Sequence, residues 1–175
     1  TAGRLWDEGK NLRALDRAAA RLAGAVPVVA AGPTEGPGGA RVALRHVRAL
    51  GRLSEGEVAR RLAERPVFVS VALYEPFGLA VLEAAQAGCA RVLSDIPTFR
   101  ELWDGAAEFV PAGDDASIAA AIERAARDRA HRARLGAAAR ARAERYTADA
   151  MAAGTAAVYR SLLRGAVAPG ETAAA

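Results

Sequence analysis

The 175-residue sequence carries 24 Lys plus Arg against 20 Asp plus Glu, a net charge of +4, and only 5% aromatic residues. That length suits one domain with a buried core. A single cysteine, Cys89, excludes an internal disulfide framework and a multi-cysteine metal site, and no apolar run reaches the roughly 20 residues that span a bilayer.

The expected location is cytoplasmic, with neither leader nor transmembrane segment. Of the basic residues, 23 are arginine and one is Lys10. Their densest stretch, Arg124 to Arg145, is diluted with alanine and interrupted by Asp128 and Glu144. It reads as solvated helix faces, so no nucleic-acid partner is expected. A positive balance still suits an anionic small ligand such as a nucleotide diphosphate.

The opening Thr1–Arg4 reads as the end of a strand. Leu12, Leu15, Ala19 and Leu22 fall on one helical stripe, with Gly24 placed as a C-terminal cap. Residues 26–31 (VPVVAA) form an apolar run of strand length, and the Gly/Pro-rich stretch 32–39 after it is a surface loop. Another strand is expected near Val47–Leu50. Ser54 with Glu57 is a capping-box pair that opens a helix to about Glu64, which Pro66 stops. Strands follow at 67–71 (VFVSV), 90–94 (ARVLS) and about 107–110. Between them lie a helix from about Gly78 to Ala87 and a short one that Pro97 starts and that ends near Trp103. From Asp114 to about Leu163 the pattern is helical, and 166–175 reads as a frayed tail.

Apolar strands alternating with helices predict an α/β fold: a Rossmann-like, doubly wound, mostly parallel sheet with helices on both faces and a helical C-terminal region. Ligands of such sheets bind at the carboxyl ends of the strands. The segment leaving strand 67–71 is therefore the place to look for function. Gly78 lets a ligand approach the backbone, and the amides of the helix after it favour phosphate. Two carboxylates flank that turn, Glu75 in the loop and Glu83 in the helix, and a carboxylate beside a phosphate site is suited to gripping paired hydroxyls. Cys89 reads as a small buried hydrophobe, His46 and His131 as structural or exposed, and Trp6 and Trp103 as packing residues.

Glu75-Pro76-Phe77-Gly78-Leu79, with Glu83 eight positions after Glu75, resembles the E-x7-E motif of GT-B glycosyltransferases of family 4, the glycosyl transferase group 1 family. The continuation Glu83-Ala84-Ala85-Gln86-Ala87-Gly88 is similar to that family's helix and closing glycine. Arg4-Leu5, Glu8 and Lys10-Asn11-Leu12 resemble its opening signature, and residues 27–32 and 50–54 fall in the expected order. The resemblance spans roughly residues 2–163. Two departures stand out: Val71-Ala72 replaces a Pro-Ser pair common in the family, and Gly9 lengthens the spacing from Arg to Lys by one residue.

The resemblance implies that residues 1–165 are the C-terminal, nucleotide-sugar-binding domain of a GT-B enzyme whose N-terminal acceptor-binding domain is a missing partner. Glu83 would then accept the ribose hydroxyls, and Glu75, the catalytic candidate, would contact the donor sugar and help place its anomeric carbon. The backbone at Phe77, Gly78 and Leu79 would hold the sugar and distal phosphate, and Arg4 and Lys10 would neutralise the diphosphate. The nucleobase would lie near Arg52 and Leu53. The resemblance further implies retention of anomeric configuration and no cofactor or bound metal, the donor being a nucleotide-diphosphate sugar. Two other readings remain open on the same fold: a nucleotide-sugar epimerase, and a non-catalytic nucleotide-binding or assembly domain.

Overall fold

A computed structural model of the chain describes residues 1–166. In chain order these form α1 (Leu12–Arg21), β1 (Val29–Ala30), β2 (Arg48–Ala49), α2 (Glu55–Ala63), β3 (Phe68–Ser70), α3 (Leu79–Gln86), β4 (Arg91–Ser94), α4 (Pro97–Trp103), β5 (Glu108–Val110), α5 (Asp115–Arg127), α6 (Arg129–Ala143) and α7 (Ala148–Ala166). The chain falls into two compact units, Thr1–Ala143 and a second that begins at Glu144. The second contains α7, whose first turn is closed by the Ala150 amide donating to Thr147 Oγ1 at 3.0 Å. The tail expected over 166–175 lies, past Ala166, outside the described residues.

Local chemistry sets most helix ends. Ser54 accepts from the Glu57 amide while Glu57 accepts from the Ser54 amide, so the capping box forms as the sequence reads. Pro97 occupies the first turn of α4, where its missing N–H costs nothing. Asp114 accepts from the amides of Ala116 and Ser117 and so starts α5. Past α1 the left-handed turn is made by Ala23 as well as Gly24.

Strands β3, β4 and β5 form one parallel sheet in that order, with Val69 opposite Val92 and Leu93 opposite Phe109. β1 and β2 form a second parallel pair. Ala2 bridges in parallel to Ala31, so the opening residues run beside β1 in the strand-like way expected of them. β1 is shorter than the run 26–31. Pro27 has no N–H to give a ladder, and Ala31 already pairs with Thr1 and Gly3. Gly32 stands so close to the Gly3 carbonyl that a Cβ there would overlap it.

Parallel sheets need both faces covered. Every residue of β4 is buried, α1 packs on α5, and α3 packs on α6. The architecture is thus Rossmann-like, with helices on both sides. Its core joins Leu12, Leu15 and Ala18 of α1 to Ile118 and Ile122 of α5 over Val69, Val92 and Val110 of the sheet.

Three buried polar side chains lie in this unit, two of them charged: Asp16, Arg91 and Ser94. Asp16 accepts from the amides of Arg45, His46 and Val47 at 2.8–3.1 Å, tying the approach to β2 onto α1. Desolvation opposes ionisation of Asp16, but the three backbone hydrogen bonds outweigh it and hold the carboxyl below its ordinary range. Arg91 lies 3.9 Å over the Trp103 ring and donates to the Ala106 carbonyl at 2.7 Å. Burial, with a further push from Arg142, lowers it to about 9, which leaves it a cation at neutral pH. Arg142 donates to the carbonyls of Leu102 and Asp104 and so closes the end of α4. Trp103 is fully buried and Cys89 likewise, while His46 is exposed. His131 pairs through Nε2 with Glu108 at 3.0 Å.

Candidate functional site

Where β3 ends, the chain crosses a loop at 71–78 before entering α3. Gly78 stands at the head of that helix with φ +85°, a left-handed conformation that glycine adopts without strain. A Cβ there would also press on Glu75 Cγ and Phe99 Cε1, each at 3.3 Å. The position favours glycine for its conformation first, with the crowding by these side chains adding to that preference.

Opposite this loop lies the segment from Arg4 to Leu12. Asp7 Oδ1 accepts from the Gly9 amide at 2.9 Å and shapes a tight 3-10 turn over Glu8–Lys10. The additional residue Gly9 is absorbed in that turn, and its carbonyl accepts the Leu73 amide at 2.9 Å. Asn11 follows in a left-handed conformation, φ +56°. Its side-chain amide donates to the Val71 carbonyl and to the Ala112 carbonyl, both at 2.9 Å. One side chain thus ties the start of α1 to the exits of β3 and β5.

Between the two segments is a cleft of about 360 Å³. Arg4, Lys10, Glu75, Phe77, Gly78 and Leu79 all line it, with Ser70 at the carboxyl end of β3. Lys10 Nζ is ion-paired with Glu75 Oε2 across the cleft, and both side chains are largely sheltered. Arg4 is more exposed; it pairs with Asp7 at 2.8 Å and lies over Trp6 at 5.7 Å.

Glu83 does not line this cleft. It borders a neighbouring depression of about 660 Å³ with Leu53, Arg65, Gln86 and Arg140. Leu79, Glu83 and Gln86 are exposed on one stripe of α3, so a single helix face runs from the first cleft to the second. Four residues of helix advance about 6 Å, within the span of one extended ligand. Leu53 borders the Glu83 depression, whereas Arg52 is exposed outside that lining.

Two supporting residues have no role assigned by the sequence reading. Thr98, in the first turn of α4, donates its hydroxyl to the Glu75 carbonyl at 2.8 Å. Asn11 sits in the opening signature, but its partners 60 and 101 residues away are visible only in three dimensions.

The arrangement offers a cation and a carboxylate face to face, the N-terminus of α3 beside them and a second carboxylate further along that helix. It is suited to a ligand that carries both anionic groups and hydroxyls. Among the described residues no three His, Cys, Asp or Glu side chains converge as a metal site would require, and no helix is long and apolar enough to cross a membrane.

The family model described as glycosyl transferases group 1 matches residues 3–142. None of the curated proteins compared with the chain matches it. Among solved structures, the chain is similar to an alpha,alpha-trehalose-phosphate synthase (UDP-forming) from Burkholderia vietnamiensis at 20% identity and a TM-score of 0.80, covering 96% of this chain and 44% of that one. It is also similar to a sucrose-phosphate synthase from Thermosynechococcus elongatus, at 23% identity and a TM-score of 0.75 over 93% of this chain and 44% of that one. A third is HepE of Anabaena, solved in complex with UDP and glucose, at 19% identity and a TM-score of 0.75 over 91% and 47% of the two chains. At these identities the likeness is one of fold. The chain spans less than half the length of each.

Proposed function

This chain belongs to the glycosyl transferases group 1 family, and from that premise we propose that it is the donor-binding half of a GT-B glycosyltransferase of family 4, acting in the cytoplasm. In this reading it holds a nucleotide-diphosphate sugar for transfer, with retention of configuration, to an acceptor bound by an N-terminal domain.

The observation that carries the reading is the cleft in which Lys10 and Glu75 meet at the head of α3. Lys10 and Arg4 neutralise the diphosphate, whose charge grows as it leaves the sugar. Stabilising charge that develops in the transition state is usually the largest catalytic contribution. Amides at Phe77, Gly78 and Leu79 face the sugar and distal phosphate, and Glu75 accepts from sugar hydroxyls and places the anomeric carbon. Further along α3, Glu83 accepts the ribose hydroxyls, and the base lies toward Leu53. HepE of Anabaena was solved in complex with UDP and glucose, which makes a UDP-sugar the first donor to try here.

Calorimetric titration with UDP, GDP and ADP tests the reading. One diphosphate is expected to bind selectively, and Glu83→Ala to weaken it roughly ten- to hundredfold, as loss of charged hydrogen bonds does. A folded chain that binds none of the three, alone and within a longer chain bearing an acceptor domain, refutes the proposal.

A further inference from the structure

The loop that carries Glu75 is irregular, so its geometry depends on its attachments. Three of these lead to one segment. Asn11 donates to the Val71 carbonyl, the Leu73 amide donates to the Gly9 carbonyl, and Lys10 pairs with the Glu75 carboxylate. Two further attachments come from other elements: Ser94 Oγ of β4 donates to the Ala72 carbonyl at 2.6 Å, and Thr98 Oγ1 of α4 donates to the Glu75 carbonyl at 2.8 Å. The next residue of α4, Phe99, is fully buried with its ring against Gly78. Pro97 fixes the start of that turn.

The cleft contains a conflict. Lys10 serves the ligand's diphosphate in the reading above, yet here it is engaged by Glu75. A diphosphate that takes Lys10 removes the side-chain restraint on Glu75 at the moment the sugar needs that carboxylate in place. The backbone attachment at Glu75 is unaffected by this exchange of partners.

Resting on the donor-site reading, we propose that Thr98 is a positioning residue for the donor sugar: its hydroxyl keeps Glu75 aimed into the cleft once the nucleotide diphosphate has drawn Lys10 away. Thr98 touches no ligand and acts through the Glu75 backbone. Its effect therefore falls on recognition of the sugar and not on recognition of the diphosphate.

The test compares Thr98→Val, which keeps shape and branching but removes the donor, with Thr98→Ser, which keeps the donor. Calorimetry measures whichever of UDP, GDP and ADP binds, and then its glucose, mannose and N-acetylglucosamine conjugates. Removing one hydrogen bond is expected to reduce the affinity gained from the sugar roughly three- to tenfold. Binding of the free diphosphate stays within about twofold, and Thr98→Ser restores the gain. Hydrogen exchange of the amides of residues 73–75, 77 and 78 gives a reading that needs no ligand, and Thr98→Val speeds it without lowering the melting temperature. Equal weakening of diphosphate and conjugate, or unchanged exchange at these amides, overturns the inference while the donor-site reading stands. Absence of any binding by the unsubstituted chain removes both, which is a different outcome from a chain that binds and ignores the substitution.

Discussion

Gly136 and Gly56 both lie inside helices, yet the same substitution should move stability in opposite directions. Gly136, in the middle of α6, faces the turn between α3 and β4. A Cβ there would be driven into the Gly88 carbonyl oxygen and would stand 3.3 Å from the Gly88 carbonyl carbon. The obstacle is backbone, which has no alternative rotamer. Replacing a helix-interior glycine by alanine ordinarily gains about 1 kcal/mol, and forcing a methyl group into a filled site costs about 1–3 kcal/mol. With backbone on the receiving side the upper part of that range applies, so Gly136→Ala should lose about 1–2 kcal/mol net. At the size of this unit that lowers the melting temperature by roughly 3–6 °C. Gly56, in the first turn of α2, has nothing within 4 Å of a Cβ. Gly56→Ala should therefore gain a few tenths to about 1 kcal/mol, less than mid-helix because the helix end is weakly constrained. Urea denaturation followed by far-UV circular dichroism measures both. A Gly136→Ala chain as stable as the parent would refute the close seating of α6 on the Gly88 turn.

Asp16 and Cys89 give further tests. Replacing Asp16 by Ala strands three amides, one of them in the core, and should cost about 2–4 kcal/mol at neutral pH. Because the folded carboxyl sits below the ordinary 3.8, its stabilising effect is complete above that value and fades as pH falls through the lower folded value. The parent's urea midpoint should exceed that of Asp16→Asn at pH 7 and draw toward it as the pH is taken below 3.8; a gap that widened with acidification would contradict the assignment. Cys89 is fully buried, and desolvation pushes its thiol up to about 11. A water-soluble maleimide at pH 7.5 should leave it unlabelled in the native chain and label it fully in urea. Rapid native labelling would place the thiol at the surface.

The sequence makes legible whatever is settled by neighbours in the chain. The Ser54–Glu57 box, Pro97 at the head of α4 and Gly78 at the head of α3 each act within four residues, and each forms as the local chemistry predicts. The strand at 26–31 is shortened because its ladder depends on residues at 1–3 and 48–50 as well as on its own apolar run. Asp16 has the same character. On a helix face an aspartate reads as a solvated residue, and only the arrival of residues 45–47 turns it into a buried acceptor. At the candidate site the six residues expected to hold the sugar and the diphosphate line one cleft. A linear motif carries no angular information, so it could not tell that Glu83 would border a different depression along the same helix.

The double hydrogen bond of Asn11 also bears on when the cleft comes into being. Its two carbonyl partners are 60 and 101 residues away, so both contacts require long loops to close before anything is gained from them. Helices such as α2 can form early from their own caps, whereas the wall that holds Lys10 is set only when the exits of β3 and β5 are both in place. A partly folded chain should therefore possess much of its helix and no ligand site. In a refolding experiment, recovery of the proposed nucleotide binding should trail recovery of helical signal and coincide with the final, slowest phase. Binding competence that appeared in the burst of helix formation would show that the cleft assembles without this clasp.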